Sequence, residues 1–197
     1  MTKAFESSRR DALQLAAALS AGTLVAGVPG TGLLAQSSRG LTGHPAPELD
    51  VGYWIDGDGE PASFSIKENA GKWIFLKCFQ NWCPGCHSSG FPTLQRFSSE
   101  FYGHPKVAIA GIQTVFEGFR SNTQDDVRKL QLRYELPNVM GHDAGNPDAE
   151  RRPDTMIKYR TGGTPWLILI DPEGTVAFND FHVNQDKLIE FIHEQIA

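Results

Sequence analysis

The chain has 197 residues, of which 40% are hydrophobic and 21% are charged, and this composition is typical of one ordinary globular domain. Its formal net charge of −5 gives no electrostatic basis for binding nucleic acid or an anionic membrane surface. Three cysteines are too few for a fold that depends on several disulfides, so each cysteine has to be interpreted on its own.

Residues 1–35 differ from the rest of the chain. The paired Arg9 and Arg10 precede a weakly apolar stretch over 12–35 that is rich in Ala, Gly and Leu. This order is typical of a twin-arginine export signal, and the stretch has too few large apolar side chains for a convincing bilayer span. We therefore expect a periplasmic or otherwise exported protein, in a compartment where disulfides persist, with no integral membrane span in the mature chain. The alternative is an ordinary amphipathic N-terminal helix.

The remaining chain predicts strands that alternate with helices. An extended lead-in over 36–50 precedes a single predicted domain over 51–197. Hydrophobic periodicity and turn residues predict short strands at 51–55 and 61–66, buried strands at 72–79 and 107–115, a strand at 166–171 and a hairpin strand at 175–179. They also predict a helix at 84–101, a helix capped by Asn122 or Thr123, a short helix at 154–160 and a last helix capped by Asn184. The polar residues 141–153 predict a loop. This alternation predicts an α/β layered domain.

A C-x-x-C motif, formed by Cys83, Pro84, Gly85 and Cys86, follows the buried strand and opens a helix. Cys83 falls at the N-cap, and Pro84 takes the first helical position, where its missing N–H costs nothing. The partial positive charge and free N–H groups of a helix start favour a thiolate, so we expect the pKa of Cys83 to lie below the free value of about 8.5. Cys86 follows one turn later. The pattern predicts that Cys83 attacks and that Cys86 resolves the mixed disulfide.

Trp82 with this motif after the 72–79 strand, and Thr164-Pro165 before a later strand, resemble the thioredoxin fold. More narrowly, the chain is similar over about residues 44–196 to the exported TlpA-like thiol–disulfide oxidoreductases and the related redoxins. The resemblance implies a central mixed β-sheet flanked by helices, with an N-terminal β extension and a helical insertion at about 116–135. It also implies an enzyme that needs no cofactor and exchanges disulfides with protein partners and an upstream redox partner. The motif does not fix the direction, and we take the reductive one as the prediction.

The resemblance assigns roles to individual residues. Pro165 corresponds to a cis proline beside the cysteine pair, and the backbone of Thr164 would dock an extended substrate as an added strand.

Lys77 stands six residues before the motif, where thioredoxins have a buried acid, and a charged lysine cannot serve as that base. Some TlpA-like members have a glutamate after the second core strand, and Glu117 is the candidate here. Pro92 comes one residue later than the helix proline of the family, which implies a small local insertion. The expected substrate-binding residues are Trp82, Pro84, Gly85, Thr164 and Trp166, with the two tryptophans forming either an apolar rim or a cap on the core.

Other interpretations of the same residues stay open. Cys83 to His87 also reads C-x-x-C-H, the attachment signature for c-type haem, although small c-type cytochromes are helical. A thiol peroxidase would have a proline and a Thr or Ser at the positions of Leu76 and Gln80. A structural zinc site would need a second ligand pair, and the histidines show no ligand spacing, whereas a non-enzymatic electron-transfer or metal carrier would use the same cysteine pair. Cys78 is interpreted as a small buried hydrophobe facing away from its neighbour on the strand.

Overall fold

The computed structural model describes residues 39–146 and 148–197, so the predicted export signal over 1–35 lies outside the described residues. The described elements are β1 (Tyr53–Ile55), β2 (Trp73–Phe79), a π-helical turn (Cys86–Gly90), α1 (Phe91–Phe101), β3 (Val107–Val115), a short 3₁₀ turn (Phe119–Ser121), α2 (Gln124–Arg133), β4 (Val139–Ala144), α3 (Asp154–Tyr159), β5 (Trp166–Ile170), β6 (Val176–Asp180) and α4 (Gln185–Ile196). Within this part of the chain, no helix has the length and apolar character that crossing a bilayer requires.

Six strands form one mixed sheet in the order β1-β4-β3-β2-β5-β6. The central strands β2 and β3 run parallel, and every residue of both is buried, as their continuous apolar runs predict. β4 is parallel to β3, whereas β5, β6 and β1 pair antiparallel with their neighbours. The mixed sheet flanked by helices is therefore confirmed, with β1 as the N-terminal extension and α2 inside the predicted insertion.

Alternate residues of β2 face opposite sides of the sheet. On one side Phe75 stacks on Phe97 of α1 with ring centroids 4.0 Å apart, and Trp73 meets Phe191 of α4 edge-on at 5.4 Å. The other side is a core cluster that includes Ile74, Leu76, Cys78, Ile112, Tyr159, Trp166 and Ile168. Cys78 is thus a buried thiol on the opposite side from Lys77, as predicted, and burial raises its pKa.

The helix predicted over 84–101 is present but not uniform. It starts at Pro84, and the Phe91 N–H donates to the Cys86 carbonyl five residues earlier, which makes Cys86–Gly90 a π-helical turn. Such a turn holds one residue more than an α-helical turn. The extra residue that the position of Pro92 implies stays a prediction, and this turn is where it would fit.

The loop predicted over 141–153 is wrong in its first part, because Val139–Ala144 form β4 between β3 and β1. The polar side chains of this strand have partners that the local sequence does not reveal. The Asp143 carboxylate accepts the first two N–H groups of α3 at 3.1 and 2.7 Å, and His142 Nδ1 bonds to Gln113 Oε1 at 2.7 Å. Tertiary hydrogen bonds therefore overrode a loop-like composition.

The strand predicted over 61–66 is also wrong. A single bridge joins Ile55 to Pro61, and a proline has no N–H with which to extend a ladder. The Glu48 carboxylate instead accepts the N–H groups of Ile66 at 2.8 Å and Lys67 at 3.0 Å, which fixes the segment as a loop.

The helix caps follow the sequence. The Thr123 hydroxyl accepts the Asp126 N–H, and the Asp126 carboxylate accepts the Thr123 N–H, so the two residues form a capping box on α2. At α4 the Asn184 side chain accepts the Lys187 N–H at 3.1 Å.

Candidate active site

The two cysteines of the motif lie where the first helix begins after β2. The backbone N–H of Cys86 donates to Cys83 Sγ at 3.3 Å, and the Cys83 thiol donates to the Thr164 carbonyl at 3.5 Å. Cys83 keeps 6% of its surface exposed, whereas Cys86 is fully buried, and both are free thiols. An incoming partner can therefore reach Cys83, and Cys86 can react only from within the protein.

Cys86 needs help to ionise. Burial raises the pKa of its thiol to about 12, and the hydrogen bond with Cys83 acts in the same direction. A thiol is a poor nucleophile, because the thiolate is the form that attacks a disulfide. Cys86 must therefore lose its proton at the moment it reacts.

The Thr164–Pro165 peptide bond is cis, and the Pro165 ring lies directly against the start of the helix. Two glycines permit this approach. A Cβ at Gly85 would lie 3.1 Å from Pro165 Cδ, and a Cβ at Gly90 would lie 2.9 Å from Pro165 Cβ. The structure thus brings the predicted Pro84, Gly85 and Pro165 together around the cysteines. Gly90 was missed, although an isolated glycine inside a helical pattern commonly has a packing reason.

The two tryptophans have different positions. Trp82 is 46% exposed, and its indole N–H donates to Gln80 Oε1 at 2.6 Å. Its ring also covers Gly118, where a Cβ would lie 2.9 Å from two ring atoms. Trp166 is 1% exposed and packs edge-on against Phe181 at 4.4 Å. Of the two interpretations, the rim applies to Trp82 and the core cap to Trp166, whose buried ring is not available to a partner.

The two ionisable residues singled out from the family pattern are also placed differently. Glu117 is exposed on the loop after β3, and among the described residues its side chain forms no hydrogen bond or ion pair. Lys77 is only 3% exposed, and burial lowers its pKa to about 8. Its charge interacts with the thiols of Cys78 and Cys86, so the buried lysine is electrostatically coupled to the resolving thiol.

A buried polar network that the sequence analysis missed holds the segment before the motif. The Asn122 side-chain oxygen accepts the backbone N–H of Asn81 at 2.6 Å and an amide N–H of Gln113 at 3.4 Å. Gln113 in turn binds His142 at 2.7 Å. Gln113 and Asn122 are 0% and 2% exposed, and the signal that could have found them is a glutamine inside the apolar run of β3.

His87, the residue after the motif, is half-buried and uses both ring nitrogens. Since a carbonyl oxygen only accepts, Nε2 donates to the Asn81 carbonyl, and Nδ1 then accepts the Tyr134 hydroxyl at 2.6 Å. The ring therefore ties the motif to the end of α2, and binding haem iron would require breaking one of these bonds. In residues 39–146 and 148–197, no group of three or more His, Cys, Asp or Glu side chains is arranged to hold a metal ion.

Among known proteins, the chain is similar to solved structures of thioredoxin-like proteins. No family model and no curated protein matches the sequence. A thioredoxin-like superfamily protein is 30% identical with a TM-score of 0.66, and the match covers 76% of this chain and 94% of that one. A thiol-disulfide isomerase from Corynebacterium glutamicum is 28% identical with the same TM-score and the same coverages. A thiol:disulfide interchange protein DsbE from Chlorobium tepidum has the same fold, at 19% identity and a TM-score of 0.52 over 80% of this chain and 94% of that one.

Proposed function

The chain belongs to the thioredoxin-like superfamily, and from this membership we propose that it is an exported thiol–disulfide oxidoreductase that acts on protein partners through Cys83 and Cys86. The observation that carries the proposal is the backbone N–H of Cys86 aimed at Cys83 Sγ, at 3.3 Å, beside the cis Pro165. A backbone N–H at a helix start stabilises a thiolate, which is the reactive form.

The proposed reaction has two exchange steps. The Cys83 thiolate attacks one sulfur of a partner disulfide, so that the partner's S–S bond breaks, a mixed disulfide forms and one partner thiolate leaves. Cys86 then attacks Cys83 Sγ, the mixed disulfide breaks, and the second partner sulfur leaves as a thiolate. The cysteine pair is oxidised by two electrons and the partner disulfide is reduced by the same two. The difference in exposure between the cysteines supports this order.

The substrate is proposed to be an extended segment of a protein. Such a segment would pair with the backbone of Thr164, which already faces Cys83 through its carbonyl. Trp82 would provide an apolar contact beside the reacting sulfur, because its ring is nearly half exposed and is held in place by Gln80 and Gly118.

We propose the reductive direction. A pair becomes a strong oxidant when the protein strongly stabilises its reduced form. Around Cys83 Sγ, the described residues supply one N–H donor, from Cys86, and one carbonyl acceptor, from Thr164. A measured potential below about −220 mV would support this direction, and a value near −120 mV would overturn it.

Disulfide reduction with matched cysteine variants tests the function. The wild-type protein should accelerate the reduction of insulin by dithiothreitol, and Cys83→Ser should abolish this activity. Cys86→Ser should stop turnover, and when its reduced form meets insulin without dithiothreitol a covalent mixed disulfide with insulin should accumulate. Cys78→Ala is the control and should keep the activity, because Cys78 is buried on the other side of the sheet. Equal free-thiol counts in oxidised and reduced samples would contradict the proposal.

The same variants separate the alternatives. Consumption of hydrogen peroxide that survives Cys86→Ser but not Cys83→Ser would favour a thiol peroxidase. A Soret band on the exported protein would favour haem attachment, and tight stoichiometric binding of copper or zinc by the reduced protein would favour a metal carrier.

Export is supported by the twin-arginine order in residues 1–35. A reporter fused to this segment should appear outside the cytoplasm, and changing Arg9 and Arg10 to Lys should retain it inside. Export of the lysine variant at the wild-type level would contradict a twin-arginine route.

A further inference from the structure

Lys77 is an unusual residue for the middle of a central strand. It lies on the side of β2 that α1 covers, between Phe75 and Phe79, whose rings pack on Phe97 and Phe91 with centroids 4.0 and 4.9 Å apart. Its side chain is almost fully buried, and within the described residues it forms no hydrogen bond. A lysine side chain buried among apolar rings is unfavourable, so the position calls for a chemical explanation.

Gly90 shows which group the lysine approaches. A Cβ placed on Gly90 would lie 3.7 Å from Lys77 Cε and 3.7 Å from Cys86 Cβ. The end of the lysine and the resolving cysteine therefore border the same small space beneath the π-helical turn. Pro165 borders the same space, since the Gly90 Cβ would lie 2.9 Å from Pro165 Cβ, so the missing side chain at Gly90 lets all three residues approach one another.

The surroundings of Lys77 contain few other titratable groups. Its neighbours across the sheet are Gly111 on β3 and Leu167 on β5, neither of which is charged. From the helix the facing group is Cys86. From β2 itself, the titratable group that interacts with Lys77 is the Cys78 thiol, which lies on the other side of the sheet. The negative charge of Asp143 on β4 raises the pKa of that thiol further. Cys86 is thus the reactive group that Lys77 faces.

We propose that Lys77 is the proton acceptor of the resolving step. Its uncharged amine takes the proton of the Cys86 thiol, and the resulting thiolate attacks Cys83 Sγ of the mixed disulfide. The Cys83–Cys86 bond forms as the bond to the partner sulfur breaks, and the partner leaves as a thiolate that picks up a proton from solvent. The lysine ammonium later returns its proton to solvent. This inference rests on the proposed function.

The lowered pKa of Lys77 agrees with this role. Burial lowers the pKa of Lys77 to about 8, so a substantial fraction of the amine is uncharged in the pH range where a general base works well. A fully charged lysine could not accept a proton.

A single-turnover assay isolates the step. Reduced protein, in a Cys78→Ala background, is mixed with 5,5′-dithiobis(2-nitrobenzoate), which releases one coloured thiol when Cys83 attacks and a second when Cys86 resolves the adduct. The first phase depends on reagent concentration and the second does not. In the wild type, the rate of the second phase should rise with pH and level off above about pH 8, where the amine is uncharged.

Lys77→Met should change only the second phase. At pH 7 we expect that phase to be at least about tenfold slower, and to keep rising by about tenfold per pH unit up to pH 10. The first phase should stay within about twofold of wild type. Lys77→Gln, which is polar but not basic, should show the same loss. Lys72→Met, just before the same strand, removes a charge far from the cysteines and should leave both phases unchanged.

The outcomes separate this proposal from the function on which it rests. A wild-type protein that releases only one coloured thiol would refute disulfide formation by the pair, and with it the proposed function. Two released thiols, with the same second-phase pH profile in Lys77→Met as in wild type, would overturn the role of Lys77 alone. A variant in which both phases slow equally would also overturn it, because that result indicates a merely structural effect.

Discussion

Replacing Lys77 by methionine should stabilise the protein near neutral pH. Burial lowers the pKa of Lys77 from 10.5 to about 8, so the folded state disfavours the ammonium form. A pKa difference of this size corresponds to roughly 3 kcal/mol of unfolding free energy. Methionine has a similar length, carries no charge and adapts well to an apolar slot between phenylalanine rings. We expect Lys77→Met to gain about 3 kcal/mol at pH 7, while the resolving step slows.

The gain should depend on pH in a specific direction. Between about pH 8 and pH 10.5 the unfolded chain holds the lysine proton and the folded protein does not, so wild-type stability rises with pH in this window. The unfavourable contribution of Lys77 is complete below pH 8 and disappears above pH 10.5. Ionisation of the buried Cys86 and Cys78 opposes this trend, but both thiols are common to the two proteins and cancel in the difference. The advantage of the variant should therefore shrink between pH 8 and pH 10.

Urea unfolding under reducing conditions, at pH 7 and at pH 10, measures both effects. Lys72→Met is the matched control, and we expect a change below about 0.5 kcal/mol, because this lysine is only partly buried and its ammonium donates to Asn69 Oδ1 at 3.2 Å. A Lys77→Met protein that is less stable than wild type at pH 7 would refute the reasoning, as would an advantage that is undiminished at pH 10.

Two further predictions concern packing and capping. Gly90→Ala should gain about 0.5–1 kcal/mol of unfolding free energy from helix propensity. It should lose about 1–3 kcal/mol because its Cβ would lie 2.9 Å from Pro165 Cβ. We therefore expect lower stability and slower insulin reduction. Gly52→Ala, which adds a Cβ in open space, is its control, and a Gly90→Ala protein as stable and active as wild type would argue against the close packing. Thr123→Ala should cost about 1 kcal/mol in urea unfolding, because it removes the cap of α2, without altering either phase of the single-turnover assay. A slower second phase in that variant would mean that α2 also controls the cysteines.

The central strands and the cysteine motif could be predicted because their signals are local. β5 is a continuous apolar run, and β2 and β3 are nearly so, with Lys77 and Gln113 as the main exceptions; such runs have few alternatives in a domain of this size. The caps on α2 and α4 follow from single side chains that bond to N–H groups three residues away. The same locality made the cysteine motif recognisable.

The parts that escaped prediction depend on partners that are distant in the sequence. β4 contains glycine and polar residues, and only its pairing with β3 and β1 makes it a strand. Asn122 acts on Asn81 across 41 positions, and no local pattern indicates that contact. The approach of Lys77 to Cys86 requires the phase of β2, the turn of the helix and the missing side chain of Gly90 together. Trp166 was ambiguous because a tryptophan beside a functional loop serves a rim and a core equally well.

The π-helical turn shifts the direction in which the side chains after it point, relative to those before it. Cys86 and Phe91 are five residues apart, yet both side chains are buried against the sheet. In a regular α-helix, residues with that spacing point in clearly different directions. Deleting Ser88 or Ser89 would leave Cys86 and Phe91 four positions apart, a spacing that a regular α-helix places on nearly the same face, so both side chains could stay buried without the π-helical turn. The π-helical turn therefore places the Cys86 sulfur and the Phe91 ring on the same buried face of the helix, and a count of helical positions along this segment must skip one residue.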